Sequence, residues 1–299
     1  MYNTSKVVFS PRVRKSPYFN STIKYGATAF SVYNHMYMPV TYDGTLEDYK
    51  KLLDGVQLWD VGVERQVQIK GPDAESLAQF LTPRNIKNCS IGQAMYAPLT
   101  DFKGNLINDP VMLRVDEDCY WFSVSDGDLL LWAQAIAAGY KFEVDVDEPD
   151  VSPLQVQGPN SIKLMTKVFG DWINDLSFYR FKEINHEGIP MVIARMGYSK
   201  ELCYELFLQD HFKGDELWEI LWQAGQEFNI SPGSPNIILR LEGGILSYLA
   251  DIDRTNNPYE VGLDRMVDLD QDDDFIGKDA LREICLKGPE KKLIGAEIH

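Results

Sequence analysis

The alternation of apolar and polar positions divides the chain into short strands and amphipathic helices. The clearest stretch is 96–124, which reads strand, turn, loop, strand, turn, strand. Residues 96–99 are an apolar run, and Asp101-Phe102-Lys103-Gly104 has turn chemistry. After the loop 104–110, the runs 111–115 and 120–124 form a hairpin across Asp116-Glu117-Asp118. Helical spacing appears at 129–138, with Leu130, Trp132, Ala133 and Ile136 inward, and at 215–228, with Leu217, Ile220, Leu221 and Ala224 on one face. The same reading predicts strands at 27–32, 67–70, 142–146, 178–184, 191–195 and 202–207. It predicts helices at 46–53 (capped by Thr45), 75–81, 239–249 and 278–286.

One pattern occurs twice. The strand 67–70 runs into Gly71-Pro72-Asp73-Ala74 and a helix, and Leu154-Gln155-Val156-Gln157 runs into Gly158-Pro159-Asn160-Ser161 and a helix at 162–169. Proline suits a first helical turn, where its missing N–H costs nothing. The two copies are too far apart for a solenoid. They read as halves of an old duplication, each a small α+β sheet with helices on one face. The acidic turn Asp147-Glu148-Pro149-Asp150 is the expected boundary. The expected organisation is 1–50 plus 150–245 as one unit, 51–149 as a second, and 246–299 as a connection ending in a strand.

At 299 residues the chain is long enough for two cores. Its formal net charge of −16 repels phosphate backbones and anionic lipid, so nucleic acid and membrane surfaces are not expected partners. Cys89, Cys119, Cys203 and Cys285 form no C-x-x-C pair and read as free thiols in a reducing compartment. His35, His186, His211 and His299 lack metal-ligand spacing, so no metal is expected. Residues 1–15 are basic and polar and carry no apolar core of a secretory signal; residues 1–20 read as an arm. A cytoplasmic location is the expectation, and a homodimer is left open.

Asp109 sits where the 104–110 loop meets a strand, with Pro110 stiffening the backbone behind it. It is either a turn cap or a carboxylate held for chemistry at a rigid loop mouth. Tyr33-Asn34-His35 opens a loop dense in aromatic and polar groups, which is a packed corner or a wall of a small-molecule site. Glu205 interrupts an apolar strand, and a buried carboxylate needs a partner. That partner is a basic side chain such as Arg195, or a ligand presenting adjacent N–H donors.

Taken in order, these pieces resemble the folate-dependent aminomethyltransferase family, the fold of the glycine-cleavage T-protein. The resemblance rests on Phe30-Ser31-Val32-Tyr33-Asn34-His35, Trp59-Asp60-Val61, Ile69-Lys70-Gly71-Pro72-Asp73-Ala74 and the loop Gly104 through Asp109. It continues through Val156-Gln157-Gly158-Pro159, Arg195-Met196-Gly197-Tyr198 with Glu205, and Leu239-Arg240-Leu241-Glu242. Within the family it is similar to the sulfonium demethylase branch. The resemblance implies duplicated ferredoxin-like α/β units in an α+β fold, with the C-terminal β-domain largely absent and 292–299 as its first strand. It implies tetrahydrofolate as methyl acceptor and a small sulfonium, dimethylsulfoniopropionate, as donor. Asp109 then matches the acid beside the reacting folate nitrogen, Glu205 the carboxylate on the pterin edge, and Tyr198 the pterin-site tyrosine. Ser125 and Tyr96 join the folate set. The aromatic faces of Tyr33, Trp121, Phe178 and Tyr179 are candidates for the sulfonium, beside Asn34, and His35 for its carboxylate.

Three sites depart from the glycine-cleavage pattern: Asn108 before Asp109, Asn236 in place of an arginine, and the Tyr33-Asn34-His35 loop. They argue for a different small substrate on a retained folate site. The rival functions are a glycine-cleavage aminomethyltransferase, a folate-dependent N- or O-demethylase, and a non-catalytic folate-binding protein. The last of these lacks its Lys-Gly-Cys-Tyr signature here.

Overall fold

A computed structural model describes residues 9–296. Two antiparallel sheets dominate it. The larger has six strands in the order Phe181–His186, Ile189–Ala194, Cys203–Leu208, Ser152–Gln157, Val56–Asp60 and Ile230–Gly233; only the last pair is parallel. The smaller has five, Asp145–Asp147, Gln66–Lys70, Cys119–Ser123, Val111–Asp116 and Gln93–Tyr96.

Strand periodicity decides where everything else sits, because successive side chains point to opposite faces. In Cys203–Leu208, the side chains of Tyr204, Leu206 and Leu208 join a core with the helices Ser161–Phe169 and Gly214–Gly225. In the smaller sheet, Met112, Tyr120 and Phe122 pack with helices Ala74–Leu81 and Leu129–Tyr140. The opposite faces of both sheets meet each other through Leu113, Trp121, Val192 and Phe207. The helices therefore cover the outer faces, and the two sheets share an inner layer. This is the α+β arrangement read from the sequence.

Several local expectations shift. The strand Val56–Asp60, placed by the sequence at the head of the second unit, pairs with Ser152–Gln157 in the six-stranded sheet. All five of its residues are buried, as a central strand requires, and its partners are remote in sequence. The crossover between sheets thus falls at 61–65. Thr45 is the first residue of its helix rather than the cap; the Asp48 carboxylate takes the backbone N–H groups of Tyr42 and Asp43 instead. The helix expected over 239–249 is the short Ile237–Glu242, stopped by Gly243-Gly244. Residues 292–296 carry no strand, and 297–299 lie outside the described residues. Of the expected arm, 1–8 also lie outside them, while Phe19–Lys24 is a helix. Among the described residues no helix is long and apolar enough to cross a membrane.

Candidate functional site

A cavity of about 350 Å³ opens where the inner faces of the two sheets diverge. Its size lies within the range of small-molecule sites. The smaller sheet and its loops contribute Tyr96, Asp109 and Ser125; the larger contributes Gln155, Tyr198 and Glu205. Residues from 235–240 and 245–250 close one side, and Tyr33 and Met38 of the hairpin Ala29–Tyr33/Met36–Thr41 form another wall.

Asp109 is buried, 7% exposed, between the strands Leu106–Asn108 and Val111–Asp116. Tyr96 donates its hydroxyl to Oδ2 at 3.0 Å, and Ser125 donates to Oδ1 at 2.5 Å. Burial pushes the carboxyl up to about 6, while these two hydroxyls hold it down. It is therefore mostly a carboxylate at neutral pH. The arrangement depends on Asn108, which donates Nδ2 to Ser125 O and accepts Ser125 N–H, both at 3.0 Å. An aspartate could accept but not donate in that clamp. Asn108 points away from the cavity, so this departure from the glycine-cleavage pattern fixes the Ser125 loop rather than touching a ligand.

Glu205 is reached by a different chain of bonds. Ser199 Oγ donates to Gln157 Oε1 at 2.7 Å, and Gln157 Nε2 donates to Gln155 Oε1 at 2.8 Å. Gln155 Nε2 then donates to Glu205 Oε1 at 2.5 Å, across the strand pair that sets these two residues opposite each other. Every donor points toward the carboxylate, which leaves Oε2 facing the cavity with no protein partner among the described residues. Arg195 is not the partner; its Nη1 donates to Leu176 O. Burial raises the Glu205 carboxyl above its usual range, partly offset by Gln155. The glutamines occupy alternate positions of an otherwise apolar strand, the same signal that marks Glu205, yet the sequence reading passes over them.

The reading also passes over Glu64, which lines the cavity beside Ser123, Gln155 and Glu205. It lies on the 61–65 crossover, where a charged residue next to Arg65 looks like an ordinary solvated turn. Three carboxylates thus face one cavity. Arg240 is the one cationic side chain lining it among the described residues, and Asp251 holds that guanidinium in an ion pair.

Of the residues singled out in the sequence, Tyr33, Tyr179 and Tyr198 also line the cavity. Tyr179 does so with φ of +58°, held by its N–H to Arg195 O at 3.0 Å and its carbonyl to Ala94 N at 2.8 Å. Tyr198 donates to Leu246 O at 3.2 Å. Four other candidates lie elsewhere. Asn34 is a buried corner: Nδ2 donates to Val63 O and Val124 O, and Oδ1 accepts Gly127 N–H. His35 follows at φ +61°, turned outward near Asp128. Trp121 is placed by strand parity in the layer between the sheets, its Nε1 bonded to Gln68 at 2.9 Å. Phe178 is 62% exposed and packs on the outer side of Tyr179. Asn236 caps the helix Ile237–Glu242 by accepting from Ile238 N and Leu239 N. The departure there exchanges a cation for a helix cap.

The residues fit a reduced folate on structural grounds. Glu205 offers an unpartnered buried oxygen to N–H donors, aromatic faces flank it, and Asp109 stands within the same cavity. A carboxylate-rich, aromatic cavity also suits a cationic donor.

Comparison with known proteins agrees. The family profile described as the GCVT N-terminal domain matches residues 18–271. A dimethylsulfoniopropionate demethylase of Ruegeria pomeroyi is 41% identical over 293 residues, 97% of this chain and 80% of that protein. An aminomethyltransferase of Halothermothrix orenii is 30% identical, covering 96% of this chain and 80% of its own length. The solved glycine cleavage system aminomethyltransferase T from Bartonella henselae superimposes with a TM-score of 0.82 over 93% of this chain and 76% of its own, at 23% identity, and so shares the fold. With the profile spanning both sheets and the full cavity, the chain belongs to the aminomethyltransferase (GCVT) family.

Proposed function

We propose that this protein is a tetrahydrofolate-dependent methyltransferase that removes a methyl group from dimethylsulfoniopropionate. The observation that carries the reading is the convergence of Asp109 and Glu205, from different sheets, on one aromatic cavity with no free cation among its described lining residues. The 41% identical demethylase supports the choice of donor.

When bound, tetrahydrofolate supplies the nitrogen nucleophile, and the donor's sulfur leaves as a neutral thioether. No general acid is needed for that leaving group. The protein's task is alignment and management of charge on the accepting nitrogen. In this reading Asp109, fixed by Tyr96 and Ser125, orients that nitrogen and takes its proton. Glu205 holds the pterin edge through N–H donors, with its orientation set by Gln155. Tyr33, Tyr96, Tyr179 and Tyr198 offer faces to the sulfonium and the ring, and the net negative lining favours the cation.

Four free cysteines support the cytoplasmic location included in this reading. A homodimer is the assembly to be tested by sedimentation. The deciding assay incubates the protein with tetrahydrofolate and a panel of methyl donors and looks for 5-methyltetrahydrofolate. Product from dimethylsulfoniopropionate is expected. Faster turnover of an aminomethyl group on a carrier protein would make it a glycine-cleavage aminomethyltransferase instead.

A further inference from the structure

We propose that Glu64 reads the reduction state of the pterin ring, accepting from N8–H and donating to N1 while Glu205 takes N3–H and the 2-amino group. The proposal rests on the folate reading above and adds a residue to it.

The backbone of Glu64 is fixed from both sides. Its N–H bonds to Val61 O at 2.8 Å, and its carbonyl accepts from Gln66 Nε2 at 2.7 Å. The next residue, Arg65, turns away to Glu148, with Nε at 3.0 Å from Oε2. Glu64 is left on the cavity side of a rigid turn. Gln66 Nε2 also donates to Ser123 Oγ at 2.9 Å, so the Ser123 hydroxyl is free to give its own proton to Glu64. The rest of the Glu64 carboxyl has no protein partner among the described residues. Beside it, Glu205 Oε2 is equally unpartnered among the described residues, on a side chain that is buried.

Two carboxyl groups lining one cavity with no free cation among its described residues cannot comfortably both be charged. Burial and then Glu205 push the Glu64 carboxyl well above its usual range, and Asp109 adds to the effect. Gln155 Nε2 already donates to Glu205 Oε1 and favours the charge there, so in this proposal the shared proton sits on Glu64 and Glu205 is left as the acceptor. A tetrahydropterin edge presents the matching sequence: N3–H and one amino hydrogen as a pair of donors, then N1 as an acceptor beside N8–H as a donor. A carboxylate fits the first pair, and a carboxylic acid fits the second. In fully oxidised folate N8 has a lone pair and no hydrogen. The Glu64 carbonyl oxygen would then face another acceptor, which is repulsive.

The test measures dissociation constants of tetrahydrofolate and folic acid by calorimetry for the native protein, Glu64→Gln and Glu64→Leu. The amide of Glu64→Gln keeps one donor and one acceptor in the same fork, so its preference for tetrahydrofolate should match the native protein's. Glu64→Leu should lower that preference about tenfold or more, the loss expected for a hydrogen bond with a partly buried carboxyl. If Glu64→Leu does not fold, 8-deazatetrahydrofolate, which has carbon in place of N8, serves on the native protein and should bind about tenfold more weakly than tetrahydrofolate. An unchanged preference in the leucine variant, or undiminished affinity for the deaza ligand, overturns the role of Glu64 while leaving the folate site standing. Failure of the native protein to bind tetrahydrofolate at all overturns the folate reading and this inference with it.

Discussion

Tyr96 donates its hydroxyl to Asp109 Oδ2 at 3.0 Å, and this bond helps keep a buried carboxyl ionised at neutral pH. Removing the donor in Tyr96→Phe keeps the ring and its packing but takes away one of the two groups that stabilise the charge. The Asp109 carboxyl should titrate higher. Because the active form is the carboxylate, the acid limb of the pH–rate profile should move toward higher pH. The high-pH plateau should stay within about fivefold of the native rate, as befits loss of one hydrogen bond. An acid limb that stays in place would show that another group sets it.

Asp109→Asn should separate chemistry from binding. The amide fits the same space, and Tyr96 and Ser125 can rotate their hydroxyls to suit it. What is lost is the charge that manages the proton of the accepting nitrogen. Turnover should fall by roughly 100-fold to 10,000-fold, the range for removing a general base. Tetrahydrofolate affinity measured by calorimetry should change by less than about fivefold. Equal losses in both would make Asp109 a binding residue.

How much of this site could be read beforehand depended on whether a residue's role was written in its neighbours. Asp109 was legible because glycine, asparagine and proline punctuate the loop around it. Glu205 was legible because a carboxylate is conspicuous in an apolar strand. The helices at 75–81, 129–138, 162–169 and 215–228 followed from periodicity, and strand parity sets Tyr204 and Leu206 on one face and Glu205 on the other. What could not be read was non-local. No local signal tells that Val56–Asp60 pairs with Ser152–Gln157, or that Arg65 turns out to Glu148 while Glu64 turns in. Trp121 was chosen for an aromatic face that instead packs in the layer between the sheets, and Asn34 for polar groups that its side chain spends on the backbone of Val63 and Val124.

Glu205→Gln tests the direction of the relay from Ser199 through Gln157 and Gln155. Gln155 Nε2 would still need an acceptor, so the new amide should turn its oxygen toward Gln155 and its NH2 toward the cavity. A donor would then face the N–H donors of the pterin edge. The variant should fold and melt near the native temperature, yet bind tetrahydrofolate about 100-fold more weakly by calorimetry, as expected for losing charge-assisted bonds and gaining a donor clash. Native affinity in this variant would remove Glu205 from the folate site.

Asp60 makes a separate prediction about stability. It is fully buried, accepts from Ser16 Oγ at 2.5 Å and Gly62 N at 3.1 Å, and has no basic partner among the described residues. Burial pushes its carboxyl up to about 7, against the two donors that hold it down. The folded state therefore binds this proton more tightly than the unfolded chain, whose aspartate titrates near 3.8. Where the folded state holds the extra proton, raising the pH removes stability. The contribution is complete below about pH 4 and is lost as pH rises through about 7, in total on the order of 4 kcal/mol. Asp60→Asn has no such proton and can keep both hydrogen bonds, donating to Ser16 and accepting from Gly62. Urea unfolding at pH 5 and pH 8 should show the variant gaining stability relative to the native protein as pH rises. Asp109, Glu64 and Glu205 titrate in both proteins and cancel in that difference. A difference that stays flat between the two pH values would mean that Asp60 is ionised in the fold throughout.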